Sequence, residues 1–150
     1  MEKEKTIDVL NELVEINNDR IEGYETAYKE TEEHDLKSLF GELAGTSKRN
    51  NQELSNEILN LGGEPTDSTK VTGKFFRVWM DVKAALTGKD RKAILNSCEF
   101  GEDQALETYE DVLKDDLEHL SMGQQSLVHK QHGLLKTDHD KVKRLRDALD

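Results

Sequence analysis

The sequence predicts an all-α fold, a four-helix bundle with one long crossover. Three observations carry the prediction: apolar residues recur at steps of three and four through four long stretches, no stretch alternates with the period of two that a half-buried strand needs, and turn residues are few, with Pro65 the only proline in 150 residues. A chain of this length makes a single domain, 1–150, that buries about two-thirds of its unfolded surface without disulfide or metal staples.

Thr6 is the expected cap of the first helix, about 6–32. From it Ile7, Leu10, Val14, Asn17, Ile21, Tyr24 and Tyr28 follow one another on one face over roughly 40 Å. The polar run Thr31 to Asp35 ends it, and Asp35 is the expected cap of a second helix, about 36–61. Its stripe is Leu36, Leu39, Phe40, Leu43, Asn50, Leu54, Ile58 and Leu61, stopped by Gly62-Gly63 before Pro65. So short a turn makes the two helices antiparallel neighbours.

From Gly62 to Lys89 the chain changes character. A polar loop leads to Phe75, Phe76, Val78, Trp79, Val82 and Leu86 on a shorter amphipathic helix, about 73–87, closed by Gly88. A connector of this length can run back along the bundle and set the third long helix parallel to the second. Phe75, Phe76 and Trp79 are expected to cover one edge of the core, or, if exposed, to form a self-association surface for a homodimer. Asp90 caps the third helix, about 91–114. Asp115, Asp116 and Ser121 mark the next turn, and the fourth helix, about 120–149, places Val128, Leu135, Val142, Leu145 and Leu149 on one face with His132 and His139 between them.

The formal net charge of −11, with 35% charged residues, disfavours nucleic acid and anionic membrane as partners. The basic run Lys141, Lys143, Arg144 and Arg146 complements the dipole at a helix C-terminus. A charged N-terminus with no apolar run behind it points to a soluble cytoplasmic protein, and the lone Cys98 to a small core residue in a reducing compartment.

One carboxylate breaks the pattern. Ile94, Cys98, Ala105, Tyr109 and Val112 define the buried face of the third helix, and Glu102 stands on it. A carboxylate there must be protonated, paired with a cation or bound to metal. Asn17, Asn50 and His132 fall at the same depth, so Asn17, Asn50, Glu102 and His132 form a predicted buried polar layer that fixes helix register. If that layer is imperfectly paired, Glu102→Leu is neutral or stabilising. The competing expectation is a divalent metal ion held by Glu102 and His132 with help from His139, His129 or Glu25. A standard di-iron site needs Glu-x-x-His on two helices, and the residues three before His34, His119, His129, His132 and His139 are Thr31, Asp116, Ser126, His129 and Lys136, which disfavours it. There is no phosphate-binding glycine loop, Gly-x-Ser-x-Gly or Cys-x-x-Cys.

The segments Gly73 to Gly88, Cys98-Glu-Phe-Gly-Glu-Asp103 and His139 to Asp147 resemble an uncharacterised bacterial family of four-helix bundles in the ferritin-like superfamily. The resemblance implies a ferritin-like fold with a long crossover and a bacterial cytoplasmic setting. It implies no activity, and the family's metal ligands do not carry over because the Glu-x-x-His pairs are missing. The expectation is a non-enzymatic bundle acting through protein contact, with a stress-associated role by analogy. A metal-binding or redox protein with a reduced mid-bundle site is the alternative.

Overall fold

A computed structural model describes residues 2–69 and 91–149. Four long helices account for nearly all of them: α1 (Glu2–Glu30), α2 (His34–Asn60), α3 (Arg91–Asp115) and α4 (Met122–Asp147), with one turn of 3-10 helix at Leu117–His119. The helix expected at 73–87, Asp90 as a cap, and the self-association residues Phe75, Phe76 and Trp79 lie outside the described residues.

Cross-helix pairs give the directions. Along α1, Thr6, Asn17 and Arg20 meet His119, Tyr109 and Glu102 in turn, so α3 runs antiparallel to α1. Ser47 and Asn50 of α2 reach Arg20 and Asn17, and Glu42 and Glu53 reach Lys141 and Lys130 of α4. Hence α2 and α3 are parallel. The described chain after α2 lies along α1: Asn11 binds the backbone of Glu64 and Thr66, and Asn18, two turns on, binds the carbonyls of Thr66 and Ser68.

The helix ends follow local chemistry. Gly62 adopts φ 84° just after α2, its N–H and that of Gly63 returning to the carbonyls of Leu59 and Ile58. A Cβ at Gly63 would lie 2.8 Å from Ile7 Cδ1, so that glycine also admits α1. We expect Gly62→Ala to cost about 1–2 kcal/mol from the left-handed backbone alone, read as a lower urea midpoint at unchanged slope. An unchanged midpoint would mean the turn relaxes. Ser121 caps α4 reciprocally with Gln124.

Two caps differ from expectation. Thr6 lies inside α1, which starts at Glu2, and its hydroxyl contacts the carbonyls of Glu2 and His119. The N-cap of α2 is Glu33, while Asp35 falls in the first turn, where with Glu33 it binds Arg91 and ties the start of α3 to the α1–α2 turn.

The buried faces also differ from the predicted stripes in phase. On α1 the expected Leu10, Val14, Asn17 and Tyr24 are buried, but so are Thr6, Leu13, Ile16, Arg20 and Ala27, whereas Ile7 and Ile21 are only half-buried and Tyr28 is exposed. On α4 the buried residues are Gln124, Val128, Gln131, Leu135, His139 and Val142, so His139 is inward as expected, with Leu145 and Leu149 exposed.

The core divides in two. One apolar cluster holds Leu10, Leu13, Leu54, Tyr109 and Val128, and the other holds Tyr24, Phe40, Leu43, Leu95 and Val142. Between them the bundle carries a polar waist.

Candidate metal centre

The waist has two layers. In the first, Tyr109 Oη accepts from Asn17 Nδ2 and donates to Gln131 Oε1, each at 2.8 Å, while Gln131 Nε2 donates to the Asn50 carbonyl at 3.1 Å. Asn17 Nδ2 also donates to the Leu13 carbonyl at 2.8 Å, so a buried helix-interior asparagine finds partners on its own helix and across the bundle. The layer was expected to hold His132, but the inward residue of α4 here is Gln131. His132 is one step further round, 26% exposed and paired with Glu110 at 3.0 Å.

One turn along α1 is the second layer, built on Arg20, which is fully buried. Its Nε and Nη2 donate to the two oxygens of Glu102 at 2.9 and 2.7 Å, Nη1 to Ser47 Oγ at 2.5 Å, and Nη2 also to Asp138 Oδ2 at 3.2 Å. The guanidinium lies 5.4 Å from the Tyr24 ring centre. Each helix thus contributes one residue around a single cation. Burial disfavours the Arg20 charge, but adjacent Glu102 outweighs it and raises the guanidinium pKa further. Burial pushes the Asp138 carboxyl up, against the pull of Arg20. Burial, then the Glu102 charge, also raises the Cys98 thiol, which is buried and free, so this cysteine is an inert core residue.

Of the three fates open to Glu102, the structure selects the cation pair. Both of its oxygens are taken by Arg20, so it is not available as the mid-bundle ligand expected from its position. Glu25 is separate as well, partly exposed and paired with Lys48 at 3.0 Å.

His139 belongs to a different group. Nearly buried where α3 and α4 meet, it places Nε2 2.7 Å from Asp103 Oδ1. Glu99, one turn before Asp103, completes the set: one ligand atom from each of Glu99, Asp103 and His139 lies within 4.8 Å of the others, the one such group among the described residues. The neighbours hold it in place. His139 Nδ1 sits 3.1 Å from Asp140 Oδ1, which Lys136 binds at 2.9 Å, and Arg146 pairs with Glu99. Lys136, the largest influence, and then His139 hold the Asp140 carboxyl below its usual range. Asp140 and Asp103 thus engage the two ring nitrogens, and the 2.7 Å separation of Nε2 from Asp103 Oδ1 requires a proton between them, which a bound metal ion would replace. Asp103 is 53% exposed, which leaves the group open to solvent on one side.

Sequence reasoning identified Glu102 and His139 but missed Arg20, Asp103 and Glu99 as their partners. The available signals were Arg20 midway between Asn17 and Tyr24 at helical spacing, and Glu99 and Asp103 at i and i+4 on one flank of α3.

The fold and its interior define an all-α four-helix bundle with an ion-paired waist and a carboxylate–histidine group at the α3–α4 seam. The chain belongs to the family described as domain of unknown function DUF2383, whose model matches residues 5–115. That stretch holds Arg20, Ser47, Glu99, Glu102 and Asp103, while Asp138, His139 and Arg146 lie beyond it. No curated protein matches the chain. No helix among the described residues is long and apolar enough to cross a membrane.

Proposed function

We propose that the protein binds a single divalent transition-metal ion through Glu99, Asp103 and His139. The observation that carries this reading is the supported histidine: Nδ1 is engaged by Asp140, and Nε2 is presented to two carboxylates within metal-chelating reach. One imidazole and two carboxylates suit zinc, manganese or ferrous iron, and three protein ligands leave a position for water or a small ligand. The exposed edge at Asp103 favours an ion that exchanges with solvent over one sealed in for structure.

The parallel α2 and α3 with a long crossover support a ferritin-like reading of the bundle. The interior does not fit a carboxylate-bridged di-iron centre, because Arg20 occupies the middle of the bundle and takes both Glu102 oxygens. Metal binding therefore belongs at the seam.

The test is a cobalt(II) titration of tag-free protein, followed by visible absorption and by metal analysis after gel filtration. One equivalent should bind. His139→Ala should weaken binding at least about a hundredfold, whereas His132→Ala, which removes an imidazole outside the group, should leave it unchanged. Uptake well below one equivalent, or equal loss in both variants, would overturn the assignment.

A further inference from the structure

The two carboxylates that Arg20 grips on α3 and α4 each stand one residue before a candidate ligand: Glu102 precedes Asp103, and Asp138 precedes His139. Successive helical residues are rotated by about 100°, so fixing Glu102 and Asp138 toward the interior fixes the next side chain of each helix on the flank where the two meet. Glu99, three before Glu102, lies on the same flank of α3. Apolar packing alone tolerates several similar arrangements, but a buried two-pronged guanidinium–carboxylate pair adds a directional constraint.

We propose that Arg20 is a positioning residue for the metal group. From α1, without touching a ligand, it sets the rotation of α3 and α4 that brings Asp103 and His139 within 2.7 Å of each other. The supporting geometry is specific. Arg20 is fully buried and binds both Glu102 oxygens, reaches Asp138 on α4, and is steadied by Ser47 on α2. What the group holds rests on the metal-binding reading. The alignment itself does not.

Two readouts on the full chain test this. Cobalt(II) titration measures the site, and the nuclear Overhauser effect between the His139 ring and the Asp103 β-protons measures alignment without metal. Arg20→Met/Glu102→Leu replaces the buried pair by apolar groups, so cooperative unfolding is retained. Cobalt affinity should nevertheless fall about 10- to 100-fold, and the Overhauser signal between His139 and Asp103 should disappear. Arg20→Lys, which keeps the charge but not the fork, should fall between it and the wild type. A folded double variant with wild-type affinity and an undiminished Overhauser signal would overturn the proposal. If that variant does not fold, Arg20→Lys decides on the same readouts, a decrease in both supporting the proposal and no change in either refuting it. Should the wild type take no cobalt, the metal reading fails, and the Overhauser signal alone decides whether Arg20 aligns the pair.

Discussion

Glu102→Leu is expected to destabilise the protein by about 3–5 kcal/mol, measured by urea or thermal unfolding. A carboxylate without a good partner would give the opposite result, a neutral or favourable change, and the sequence alone allows that outcome. The structure reverses the sign. Glu102 accepts two short hydrogen bonds from Arg20, and removing it leaves a buried guanidinium with the Ser47 hydroxyl, the Tyr24 ring and, of the acids bonded to it, the more distant Asp138. The cost arises from the cation left behind, so Arg20→Met/Glu102→Leu should recover most of the loss. If the single variant is as stable as the wild type, either water reaches Arg20 or Asp138 moves in to replace Glu102.

Tyr109→Phe should cost about 2–4 kcal/mol, a large effect for one oxygen atom. That oxygen accepts from Asn17 and donates to Gln131, all three side chains being fully buried. Phenylalanine fills the ring volume but leaves an amide N–H and an amide carbonyl facing a gap, each with a desolvation cost and no return. The equilibrium measurement should show a lower urea midpoint at constant slope. A loss under about 1 kcal/mol would mean that Asn17 and Gln131 rearrange to bond each other.

Both predictions concern the waist, where reading the sequence was partly successful. Glu102, Asn17 and Asn50 were legible as buried polar residues because each interrupts a run of apolar residues at helical spacing. Arg20 was not, although it stands between Asn17 and Tyr24 at steps of three and four. Arginine is usually exposed on a long flexible stem, so its presence in a helix reads as surface unless a buried acid elsewhere calls for it. His132 fits the stripe at four after Val128 and three before Leu135, but Gln131, at three after and four before, fits it equally, and the packing turned the glutamine inward. The carboxylate–histidine group was hidden for another reason: Glu99 and Asp103 look like ordinary solvated acids until α4 brings His139 against them.

The sequence by itself determined four long helices, their ends at Gly62-Gly63 and Ser121, and an acid in the interior of the third. Only the tertiary structure decided which cation that acid meets and which histidine reaches a carboxylate pair. The reason lies in the helix repeat. Between Asn17 and Tyr24 the steps of three and four can fall on Ile21 or on Arg20, and the two stripes differ by a fraction of a turn. The choice between them is made by what the neighbouring helices present, Glu102 and Asp138 against Arg20.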